Sequence, residues 1–196
     1  EEPRGALMLR RLQVELTDLY DLPLDADVEE FVCDRATASA VAGDDVDRHE
    51  ALIVVEDADG VSVGLYVDPT MLAPRSRFDV VCLLAEGVSH FVYFKFRADH
   101  SVQVSELELE LQAEVDKYAL SLLRDRSPRL SSRSRRLRHR LFAAPRFVDA
   151  AGTERGERYR LALRMASRYA RSLEHRFVDR GDLHSLSREL RLFYRL

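Results

Sequence analysis

Side chains able to do chemistry crowd into "AEGVSHFVYFKFRADHSVQVSELELELQAEVDKYAL", residues 85–120. This stretch holds Glu86, His90, Glu106, Glu108, Glu110, Glu114, Asp116 and Lys117. Glu86 and His90 stand four apart, so a continuous helix would project both from one face. Glu106, Glu110 and Glu114 have the same relation on the helix expected next. Carboxylates facing an imidazole suit a Zn, Mn or Fe ion, or an acid/base pair for hydrolysis. On that chemistry the candidate catalytic residues are Glu86 and His90. The candidate metal ligands are Glu86, His90, Glu110 and Glu114, and a divalent metal enters only with this hydrolase reading.

Three features count against it. Gly87 is expected to end a helix between Glu86 and His90. The spacing ExxxH is neither the HExxH of zinc proteases nor the ExxH of di-iron bundles. An ordinary solvated acidic face would also place carboxylates at 106, 110 and 114. Glu86 is the hardest to set aside, because a carboxylate within "LLAEGVSHF" needs a partner, and His90, Lys95, Arg97 or Lys117 can supply one. A buried ion pair is therefore favoured over a tuned catalytic carboxylate. No GxSxG occurs, "DADG" is a turn and not a phosphate loop, and "EVDK" has the wrong spacing for a hairpin-based nuclease.

The positive side chains point elsewhere. Residues 1–116 carry 9 basic and 26 acidic groups, net −17, whereas 117–196 carry 21 basic and 8 acidic, net +13. Arg133, Arg135, Arg136, Arg138, His139 and Arg140 form one cluster, and Arg160, Arg164, Arg168 and Arg171 recur along one flank of a helix. Such stripes suit phosphate backbones, acidic proteins or an acidic face of a second copy. The sequence pI near 5.9 and the shortage of nearby aromatics weigh against nucleic acid, which stays an alternative partner. The candidate partner-binding set is Arg133, Arg135, Arg136, Arg138, Arg160, Arg164, Arg168 and Arg171.

The elements that position these groups follow from periodicity. Leu9, Leu12, Leu16 and Leu19 give a helix over about 5–20, stopped by Pro23. A short helix is expected near 26–40, ended by Gly43 and the acidic run 44–47. "EALIVVEDADGVSVGLYVDP" reads as a β-hairpin, with "PTML" as a helical turn after it. "FDVVCLLAEGV" reads as a buried helix, "HFVYFKFR" as a third strand, and "SELELELQAEVDKYALSLL" as a helix opened by a Ser105–Glu108 capping box. Residues 124–147 are a Ser/Arg-rich linker or a loosely held helix. Seams at 159–177 and 183–193 then make a basic helical hairpin.

These elements predict an α+β fold: a helix-rich domain over 1–123 with a hairpin and one further strand, the linker 124–147, and a helical annex over 148–196. A chain of 196 residues with 46% hydrophobic and 33% charged side chains supports such a core. No apolar run reaches the roughly 18 residues that span a bilayer. Cys33 and Cys82 read as free thiols of a reducing, cytoplasmic compartment. The opening at Glu1 without Met reads as a fragment. The expected role is a non-catalytic interaction or regulatory module without a cofactor, binding an acidic protein surface or self-associating as a homo-oligomer.

Overall fold

The structure is a computed structural model that describes residues 4–23, 25–42, 49–58, 60–72, 77–124, 129–143, 145 and 149–196. The proposed stop of the second helix at Gly43–Asp47, and parts of the 124–147 segment, lie outside the described residues. Helix α1 (Arg4–Tyr20) buries Leu9, Leu12, Leu16 and Tyr20 along one stripe. It ends where Asp21 turns left-handed at φ 56°, ahead of Pro23.

The single helix expected over 26–40 is divided into three pieces. A 3₁₀ turn, Val28–Phe31, is capped by the Asp27 carboxylate, which accepts from the Glu29 amide. Strand β1 (Val32–Cys33) follows, and helix α2 (Arg35–Ala42) starts after Asp34 accepts from the Thr37 amide at 2.8 Å. An aspartate between Cys33 and Arg35 offers the backbone a cap, and a cap restarts a helix where interior periodicity would have continued one.

The hairpin is β2 (Glu50–Asp57) and β3 (Gly60–Val67), antiparallel from Glu50↔Val67 to Asp57↔Gly60. Gly60 carries φ 140°, open to glycine and strained for other residues. β1 adds parallel to β3 through Val32↔Leu65 and Cys33↔Tyr66, giving the order β1-β3-β2. The α+β, helix-rich class with a hairpin and one further strand stands, but that strand is β1.

"HFVYFKFR" is helical instead. Helix α3 (Arg77–Asp99) runs through Gly87 without a break. Leu84, Ala85, Val88, Phe91 and Val92 are all buried, at spacings of 1, 3, 3 and 1 that only a helix serves. Aromatic content suggested a strand, but a helix buried on several sides carries the same residues.

Helix α4 (Glu106–Leu123) opens with the expected capping box: Glu108 N donates to Ser105 Oγ, and Ser105 N donates to the Glu108 carboxylate at 2.7 Å. Helix α5 (Leu130–Phe142) lies within the arginine-rich segment. Helices α6 (Glu154–Arg176) and α7 (Leu183–Tyr194) form the hairpin, reversed at Gly181 with φ 70° and capped by Asp182. Tyr169 stacks on Phe193 with ring centroids 4.2 Å apart. One buried apolar cluster includes Leu12 of α1, Phe91 of α3, Tyr118 of α4, Leu173 of α6 and Leu190 of α7. Among the described residues no helix is long and apolar enough to cross a membrane.

Candidate functional site: a buried charge cluster and a cationic helix face

Of the residues singled out in 86–117, Glu86, His90, Glu110, Glu114, Asp116 and Lys117 come together on α3 and α4, joined by Glu50 of the sheet. Gly87 lets this happen. A Cβ at that position would stand 2.9 Å from Glu50 Cγ and 3.0 Å from Leu65 Cδ1. Its hydrogen instead leaves a notch in α3, across which Glu50, the first residue of β2, reaches the next turn of the helix. There Glu50 Oε1 lies 3.4 Å from His90 Nδ1. The other ring nitrogen, Nε2, faces Glu110 of α4 at 3.8 Å and has no hydrogen-bond partner among the described residues. The imidazole is thus held between carboxylates of the sheet and of α4, with its own side chain 8% exposed.

One turn toward the start of α3, Glu86 accepts from Lys117 Nζ at 3.0 Å, and Glu114 accepts from the same ammonium at 2.6 Å. Of the partners considered for Glu86, Lys117 donates a hydrogen bond to it. Deeper still, Asp116 accepts from Ser89 Oγ at 2.6 Å, from Gln112 Nε2 at 2.8 Å, and from the Tyr20 hydroxyl. Glu106 leaves the group altogether: it is exposed and pairs with Arg158.

Five carboxylates (Glu50, Glu86, Glu110, Glu114 and Asp116) therefore share this region with two cations, His90 and Lys117. Burial would push the His90 imidazole down, but the Glu50 charge and hydrogen bond, then Glu110 and Glu86, carry it up to about 9. Burial raises Glu110 to about 7 against the pull of His90, and raises Asp116 to about 6 against its three hydrogen-bond donors. Lys117 is raised despite its burial, because Glu114 and Glu86 hold the charged form. The ammonium fills the space between Glu86 and Glu114 that a metal ion would need. Among the described residues no three His, Cys, Asp or Glu side chains are grouped to hold a metal ion. Two shallow surface hollows, of about 360 and 340 Å³, open beside α5 and α1, away from the cluster. Burial raises Cys82, to about 12, which leaves that thiol unreactive near neutral pH.

The arginines separate into two classes. Arg133 donates to the Ser121 carbonyl, Arg135 pairs with Asp179, and Arg138 pairs with buried Glu174 at 3.4 Å. Arg140 pairs with Asp79 and covers the Phe78 ring, and Arg160 donates to the carbonyls of Asp149 and Ala150. Arg136, Arg164, Arg168 and Arg171 are exposed and have no such partner among the described residues. The last three share the outer face of α6 with Leu161, 38% exposed, and Met165, 40% exposed. Ala162, Ala166 and Ala170 form the opposite, buried face, and these small side chains bring α6 close to the body of the protein. Sequence spacing located the arginine stripe; what it did not reveal is that Arg160 turns back to its own chain.

Comparison with models of protein families, with curated proteins and with solved structures finds no match to this chain.

Proposed function

We propose that this protein is a non-catalytic, cytoplasmic interaction module that docks an acidic macromolecular surface on the outer face of α6. The observation that carries the reading is the set Arg164, Arg168 and Arg171: three exposed guanidinium groups, unpaired among the described residues, beside Leu161 and Met165. Most other arginines of the basic half are engaged within the chain. Unpaired guanidinium groups around apolar side chains suit recognition, since arginine presents a planar fork to carboxylates and exposed apolar surface rewards close packing.

The test is a titration with labelled poly-L-glutamate at increasing salt. Binding should be saturable, weaken as salt screens the charges, and fall at least tenfold in the triple variant Arg164→Ala, Arg168→Ala, Arg171→Ala. Equal binding by the triple variant would refute the reading. Duplex DNA in parallel separates a nucleic-acid partner, for which it would bind more tightly than poly-L-glutamate with a steep negative salt slope.

One observation favours a second reading, in which Glu86 and His90 with Glu110 and Glu114 serve a metal-dependent hydrolase: His90 Nε2 is buried without a hydrogen-bond partner among the described residues and faces Glu110. Stoichiometric metal in the purified protein, lost in both Glu86→Gln and His90→Ala, would support it over the docking module.

A further inference from the structure

The last turn of α1 and the segment just after it expose carboxylates beside an apolar side chain, where α6 exposes guanidinium groups; Arg10 and Arg11 lie nearer the start of the same side of α1. Leu7, 60% exposed, and Val14, 50% exposed, lie on one side of α1, and Asp18 follows on that side with Asp21 just beyond the helix end. Asp18, Asp21 and the nearby Asp25 are exposed, and their carboxylates have no ion-pair partner among the described residues. Arg10 is paired with Asp27 and Arg11 with Glu15, while Arg191 of α7 and Arg195 just after it donate to neutral backbone carbonyls of residues 18–21. Asp18 and Asp21 are three residues apart, as are Arg168 and Arg171, and in each helix an exposed apolar side chain precedes the pair: Val14 in α1, Met165 in α6.

We infer that the acidic surface received by α6 is the α1 face of a second copy of this chain. The contact sets Asp18 opposite Arg168 and Asp21 opposite Arg171, with Val14 beside Met165. The inference rests on the docking reading of α6 and names its partner. The contact joins different elements, so it is made either twice, in a symmetric pair where each copy's α1 meets the other's α6, or once per neighbour, in a ring or open chain.

Charge exchange between two variants tests this. In the first, Arg164→Gln, Arg168→Glu and Arg171→Gln together make the α6 face acidic. In the second, Asp18→Arg with Asp21→Asn makes the α1 face basic, and asparagine tolerates the left-handed backbone at residue 21. All changes are at exposed positions, and circular dichroism checks that the helices are intact. By sedimentation at low salt the native chain should exceed its 22.5 kDa monomer mass and return to it as salt is raised. Each variant alone, now facing like with like, should self-associate at least tenfold more weakly. An equimolar mixture should associate again, because the native α6 face of one meets the native α1 face of the other.

A native chain that stays at monomer mass, yet still binds poly-L-glutamate through the α6 arginines, overturns the self-partner and leaves the docking face standing. Association that neither variant weakens, or that the mixture fails to restore, overturns the α1–α6 contact. Loss of both self-association and poly-L-glutamate binding removes the docking reading as well.

Discussion

Gly87 shows how one residue decides whether the charge cluster exists. A glycine after an apolar run reads as a helix end, yet here it sits mid-helix, where the Glu50 side chain crosses α3 to reach His90. Gly87→Ala should therefore lower the thermal midpoint. Helix propensity alone favours alanine by about 1 kcal/mol, but the new methyl would meet Glu50 and Leu65 at 3.0 Å or less, and overpacking costs about 1–3 kcal/mol. A raised midpoint would show that Glu50 and Leu65 move aside freely. His90 gives a second prediction. Its folded-state value of about 9 lies above the ordinary 6.5, so its contribution to stability is complete below 6.5 and is lost as pH rises toward 9. The size is on the order of 3 kcal/mol at most. Urea unfolding across that window should show a decline in the native chain that His90→Gln flattens; parallel curves would mean that His90 titrates as an ordinary histidine. The pairing of Glu86 was legible as a need, but not its answer. Lys117 lies 31 positions away, and only the packing of α3 on α4 brings them together.

At the scale of elements, strong local signals survived and ambiguous ones did not. The hairpin, the Ser105–Glu108 cap and the α6 and α7 stripes were legible because turn chemistry, capping and period agreed. "HFVYFKFR" misled because β-branched and aromatic residues at a doubly buried helix position imitate a strand. The two-residue β1 was beyond any periodicity, since so short a strand carries none. Helix α5 is the instructive intermediate case. Its sequence, "LSSRSRRLRHRLF", is too polar to be held by an apolar stripe alone. Polar fasteners hold it: Ser134 donates to buried Glu174 at 2.6 Å and meets the Tyr118 hydroxyl at 2.7 Å, and Arg138 pairs with the same Glu174. Glu174→Ala should release this helix before the rest. Hydrogen exchange over residues 130–142 should quicken at least tenfold while α3 and α4 stay protected. Uniform exchange across the chain would contradict that view of α5.

The whole molecule is a map of which charges are already satisfied. The contrast between a −17 front and a +13 back was visible in the sequence. Its internal settlement was not, because an arginine beside an acidic partner and one facing solvent look alike along a chain. Folding directs Arg124 to Glu15, Arg140 to Asp79 and Arg158 to Glu106, so basic and acidic halves are joined at several points. What remains on α6 is a strip that no part of the same chain covers among the described residues. Recognition through that strip depends on where a charge sits, and total charge alone would not suffice. The most direct measurement compares two single reversals of equal charge, Arg168→Glu on the open strip and Arg135→Glu at the paired position beside Asp179. Titrated with labelled poly-L-glutamate at matched salt, Arg168→Glu should bind at least tenfold more weakly than the native chain, and Arg135→Glu within about twofold of it. Equal losses in the two would mean that net charge alone attracts the probe, and would contradict a docking face on α6.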